Sequence, residues 1–176
     1  MENNQSIFET ICRLREEEPG LPYRFQDERT AGQKDVLYVL ASEGIPFWRK
    51  EDLAKECCGI LKDLVNKEDT ILTDPVLRHF LEHYPICSYF IELRERVRIT
   101  LEAETSSRER LFHLGMRLAR SGTDPEQVKL GIILLGFFPY DTTKQIMRVL
   151  GYHSEYTLYV LESIQYVFPM QNNFIF

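Results

Sequence analysis

The chain contains no apolar run close to the ~18 residues that a bilayer span requires. Its longest such stretch, "LGIILLGFFPY" at 130–140, has the length of a buried helix. The first ten residues, "MENNQSIFET", carry neither a basic cluster nor an apolar core. No export signal is therefore expected, and a cytoplasmic location is the expectation. Cysteine is scarce: Cys12, Cys57, Cys58 and Cys87 form no C-x-x-C pair and no zinc-ligand spacing. The four thiols read as small hydrophobic side chains in a reducing compartment. Period-two alternation is almost absent, and there is no Asn-Gly or Asp-Gly dipeptide, which argues against hairpins and sheets. A glycine-rich phosphate loop, a G-x-S-x-G elbow and a dinucleotide fingerprint are also missing, so nothing local points to those enzyme classes. Basic charge is in deficit. Lys plus Arg total 21 against 27 Asp plus Glu, a formal net charge of −6, which argues against a general nucleic-acid binder.

What is present is globular: 44% hydrophobic and 27% charged residues over 176 positions, enough for one domain with a core. Helical periodicity recurs along the chain. Ser6 and Glu9 spell a capping box ahead of Ile7, Phe8, Ile11 and Leu14. A helix is predicted over about 34–42 and another over 49–65, with Phe47 and Trp48 anchoring the loop between them onto the core. Asp74 followed by Pro75 starts a short helix that Pro85 terminates. A long helix is predicted over about 85–104, then one capped by Ser106 or Ser107 that runs to about 121. Asp124–Pro125–Glu126 opens the next, whose segment "VKLGIILLGFF" is apolar nearly all round and should be the most buried. Asp141 and Ser154 are the expected caps of the last two helices. The count is about eight helices, and the fold class expected is all-α.

The helices fall into pairs, 106–137 and 141–165, whose starts lie about 35 residues apart; 35–65 and 75–104 can be read as two earlier pairs. The segment "DPEQVKLGIILLG" at 124–136 resembles the second helix of HEAT or armadillo-type repeats, with Val128, Lys129, Gly131 and Leu134–Leu135 at the matching positions. The following "SEYTLYVLESI" departs from that pattern. The resemblance implies right-handed stacked helix pairs, a short α-solenoid that holds another macromolecule. An irregular helical bundle is the alternative. Either way residues 1–176 form one domain: an N-terminal helix and loop at 1–33, packed helices at 34–165, and a C-terminal tail at 166–176. The apolar end of that tail, Phe174–Phe176, is a candidate contact for a homo-oligomer.

Three constellations carry candidate chemistry. Arg110, His113, Arg117 and Arg120 recur at i, i+3, i+7 and i+10, a single stripe along one helix, which Lys144, Arg148 and Lys129 from neighbouring helices could extend. Guanidinium forks suit carboxylates and phosphates. Residues 106–150 are the one basic stretch, with 7 basic and 4 acidic groups, whereas 35–105 holds 9 and 14. The leading functional expectation is a non-enzymatic protein-interaction module of adaptor, inhibitor or immunity type, docking a protein partner through this stripe and nearby tyrosines, with no cofactor. The second constellation is His79, Glu82 and His83, an H-x-x-E-H segment. Histidines at i and i+4 can share one zinc ion, with Glu82 polarising a bound water. Enzymes with this inverted motif also need a third ligand, and Glu155 and Glu162 are the downstream candidates. The reading preferred from sequence is two partly exposed histidines on a short connector helix; a metal-dependent hydrolase is the alternative. Binding of an anion or a nucleic-acid backbone by the arginine stripe is the third.

Overall fold

The structure, a computed structural model, describes residues 5–17, 35–36, 45–67, 70–103 and 107–167. Among them are eight α-helices and no strand: α1 (Ile7–Glu17), α2 (Phe47–Leu64), α3 (Pro75–His83), α4 (Phe90–Ala103), α5 (Arg108–Ser121), α6 (Pro125–Leu135), α7 (Asp141–Leu150) and α8 (Ser154–Val167). No described helix is long and apolar enough to cross a membrane. The expected all-α class holds. Most of the helix predicted over 34–42, the loop before it and residues 168–176 of the tail lie outside the described residues, while 166–167 continue α8.

The centre of the molecule is α6. Every residue from Gln127 to Leu135 is buried, and the helix packs against α3, α4, α5, α8 and the short 3-10 turn Ile86–Ser88. A helix without a polar face must be covered on all sides, and its neighbours do this. The tightest of these contacts is with α5. It depends on Gly131, where an added Cβ would lie 2.5 Å from the Ala119 nitrogen, and on Gly115, where one would lie 3.0 Å from Leu134 Cβ. Around this centre α2 packs on α3 and α4, α7 on α8, and α1 returns to cover α5 and α7. The return of α1 is fixed by a backbone bond from the Ile7 N–H to the Gly122 carbonyl, 3.0 Å.

Several starts follow the local sequence. Ser6 and Glu9 form the reciprocal capping box, both bonds 3.2 Å. Asp74 accepts from the Val76 and Leu77 N–H groups, and Asp124 from those of Glu126 and Gln127. Others differ. Helix α2 begins at Phe47, and the span predicted as one helix over 85–104 is a 3-10 turn followed by α4. Ser107 is at the N-cap of α5 but its side chain does not accept a helix N–H there, and Ser106 lies outside the described residues. Asp141 is the first residue of α7 rather than its cap and pairs with Lys144 at 2.9 Å. At α8 the cap is His153: its Nδ1 accepts the Glu155 N–H at 3.2 Å, and its carbonyl accepts from Thr157 at 3.1 Å. The Ser154 hydroxyl has no hydrogen-bond partner among the described residues. A serine one residue inside the helix cannot reach the second or third N–H, whereas the residue before it can.

The expectation that Phe47 and Trp48 anchor a loop to the core is overturned. They form the first turn of α2 and are 67% and 65% exposed. The inward face of α2 is made by Leu53, Ala54, Cys57, Cys58, Leu61 and Leu64, all C-terminal to that turn.

Candidate functional site

Lys129 is the one charged residue in the middle of α6, and it is buried. A buried ammonium is stable only with counter-charges in hydrogen-bond contact. Three carboxylates provide them: Asp35 at 2.7 Å, Glu126 at 2.7 Å and Glu155 at 2.5 Å. They come from a helical residue early in the chain, from the first turn of α6 and from the first turn of α8. The cluster is hydrogen-bonded further. The Tyr159 hydroxyl donates to Asp35 at 2.7 Å, and the Ile86 N–H donates to Glu126 at 2.6 Å. The Lys129 ammonium also lies 5.5 Å from the centroid of the Tyr159 ring.

The electrostatics follow from this crowding. Burial alone disfavours the Lys129 ammonium, but Glu126 and Asp35 outweigh it and hold the group above its ordinary value. Burial raises Glu126, against the pull of Lys129 and the Ile86 N–H. The Tyr159 phenol is kept protonated by burial and by Asp35. Cys87 is pushed up to about 12 by burial and by Asp35 and Glu126, so it offers no thiolate. The three carboxylates could themselves surround a cation, but the Lys129 ammonium stands at that position. What the cluster does is tie α6, α8, the 3-10 turn and residue 35 together. The sequence carried a signal for it, a lone lysine inside an otherwise apolar helix. Lys129 therefore does not extend the arginine stripe.

The stripe itself is continuous. Arg110, His113, Arg117 and Arg120 all lie on α5 and are exposed. Arg110 donates to Asn66 at 2.5 Å, and His113 stands 3.9 Å from Glu109. Lys144 is directed elsewhere: it is half-buried, pairs with Asp141 and lines a small gap with Leu135, Met147 and Ile164. Arg148 is exposed on α7. Of the tyrosines, Tyr89, Tyr156 and Tyr159 belong to the core, whereas Tyr140 and Tyr152 are exposed. Tyr140 packs edge-on against Phe112, centroids 5.0 Å apart, beside the stripe.

His79, Glu82 and His83 are all exposed, on the last turns of α3. Neither proposed third ligand joins them. Glu155 belongs to the Lys129 cluster, and Glu162 pairs with Arg94 at 3.2 Å.

A further surface was not anticipated. Two stripes face each other across a groove of about 280 Å³ between α2 and α4. Phe47, Glu51 and Ala54 recur at i, i+4 and i+7 on one wall; Ile91, Glu95 and Ile99 recur at i, i+4 and i+8 on the other. Ile91 is 51% and Ile99 45% exposed. The groove thus has apolar ends and carboxylates midway along each wall. Its sequence signal was a surplus: Ile91 and Ile99 are off the inward stripe Phe90, Leu93, Val97 and Leu101.

Comparison with family models, curated proteins and solved structures found no match to this chain.

Proposed function

We propose that this chain is a non-enzymatic protein-interaction module whose α2–α4 groove takes an amphipathic helix of a protein partner. The observation that carries this is the pair of facing stripes, which leaves Phe47, Ile91 and Ile99 in solvent. Singly exposed apolar residues are ordinary, but three aligned along one groove are the arrangement that receives helix anchors. Glu95 is already held by Arg98 at 2.6 Å, but Glu51, Glu92 and Glu95 outnumber Arg96 in the lining and leave it acidic, which favours a lysine or arginine between those anchors. The four free cysteines support a reducing, cytoplasmic setting.

The arginine stripe on α5 is the second reading, favoured by its unbroken exposure along the helix. The two surfaces call for partners of opposite charge, so one experiment separates them. A photo-crosslinking residue is placed at Ile99 or at Arg117 in living cells, and the captured protein is then purified and titrated against the chain. Capture from Ile99, with binding at least tenfold weaker for an Ile91→Glu, Ile99→Glu double variant, supports the groove. Affinity unchanged by that double variant but lost in Arg110→Glu, Arg117→Glu, Arg120→Glu moves the function to the stripe. Affinity unchanged in both removes the two surfaces from consideration.

A further inference from the structure

The exposed end of α3 holds a group of side chains that neither the groove nor the Lys129 cluster uses. His79 and His83 lie one turn apart with ring centroids 4.1 Å from each other. One ligand atom from each of His79, Glu82 and His83 falls within 4.8 Å of the others. The His83 ring is also oriented: its Nδ1 is 2.8 Å from the His79 carbonyl oxygen. A carbonyl can only accept, so Nδ1 carries the proton and the lone pair of His83 is on Nε2. Metal-bound imidazoles are typically held in this way, one ring N–H tied to a carbonyl and the other nitrogen turned outward.

We propose that His79, Glu82 and His83 form a surface site for one divalent transition ion. The ligands are Nε2 of His83, a ring nitrogen of His79 and a carboxylate oxygen of Glu82. Two imidazoles and one carboxylate select zinc, nickel or copper over magnesium and calcium, which prefer all-oxygen shells. Three ligands from one short helix leave coordination positions open to water or to a side chain of a second protein. Among the described residues no cysteine joins the His79, Glu82 and His83 group. The contrast with the Asp35, Glu126 and Glu155 group is chemical: there a lysine ammonium fills the centre, whereas here the donors face solvent.

The test uses the full chain without a histidine tag, treated with chelator and titrated with zinc chloride by calorimetry. The expected result is one zinc per chain with a dissociation constant below about 100 µM. Replacing either His79 or His83 by alanine should weaken it by more than about tenfold, and His113→Ala should leave it unchanged. Both histidines are exposed at a helix end, so thermal melts of the variants should match that of the natural chain. Nitrogen-15 spectra should show zinc on Nε2 of His83 with the Nδ1 proton retained. Absence of binding below about 100 µM, or binding unaltered in both alanine variants, overturns the site. Zinc on Nδ1 of His83 overturns the orientation argument on which it rests.

Discussion

The Lys129 ammonium lies 2.7 Å from the Asp35 carboxylate, though 94 residues separate the two along the chain. This contact closes the fold electrostatically. One cation at the centre of the most buried helix is shared among carboxylates delivered from separate segments, and a tyrosine hydroxyl steadies one of them.

Lys129→Met should cost about 3–5 kcal/mol in urea unfolding at neutral pH, because it strands carboxylates gathered around a missing charge. Adding Glu126→Gln should recover part of that loss, since burial already disfavours the Glu126 anion. The sign with pH follows from the raised folded value of Lys129. Its contribution is complete below the unfolded lysine value of about 10.4 and is lost progressively as pH rises from there through the raised folded value. A Lys129→Met single variant with no change in urea midpoint would remove the cluster from this account.

His153 predicts acid sensitivity. Burial lowers its folded value from 6.5 to about 4, so the folded ring is neutral while the unfolded ring gains a proton first. Protonation would also turn the Nδ1 acceptor of the α8 cap into a donor facing the Glu155 N–H. This contribution is present above pH 6.5 and is lost as pH falls towards 4, amounting to about 3 kcal/mol at most. Glu126 works in the opposite direction, since an acid with a raised folded value gains stability on acidification. The difference between the natural chain and His153→Asn isolates the histidine, because asparagine can cap but does not titrate. Parallel stability–pH curves for the two would disprove the assignment.

Gly131→Ala should destabilise by about 1–3 kcal/mol through overpacking. Intrinsic helix propensity favours alanine there by about 1 kcal/mol. The backbone of Ala119 decides otherwise, because an added Cβ meets its nitrogen at 2.5 Å and that atom cannot swing away. Gly59, where nothing lies within 4 Å, is the control, and Gly59→Ala should be neutral or stabilising in thermal melts.

The caps offer a matched set. Asp124→Ala and Ser6→Ala should each cost about 1 kcal/mol, because each side chain accepts a helix N–H. Ser154→Ala should change stability by less than about 0.5 kcal/mol, since its hydroxyl makes no bond among the described residues. Chemical denaturation of the three variants checks the order, and an equal loss in all of them would contradict the capping geometry.

The outcome at Ser154 shows where local reasoning ends. Serine before an apolar run is a sound cap signal, but a histidine one residue earlier took the role once the chain had placed its ring against the first turn of α8. Ile91 and Ile99 show the same limit from the other side. Their departure from the helical stripe was visible, yet only the approach of α2 turned them into one wall of a groove. His79 and His83 were readable as a pair, because i and i+4 on a helix are neighbours whatever the rest of the chain does. The bond that fixes the His83 tautomer is part of that same turn.

By itself the sequence determined most of the described helices, the caps at Ser6, Asp74 and Asp124, the identity of the most buried helix and the placing of the arginine stripe on one face. These depend on bonds and contacts between residues a few positions apart, so they are written locally. Tertiary structure decided which carboxylates surround Lys129, which tyrosines are in the core, why Phe47 is in solvent and where a groove opens. Each of these is set by contacts between segments far apart in the chain. Such contacts form only when the apolar faces of several helices compete to cover one another, and no single stretch of sequence records that competition.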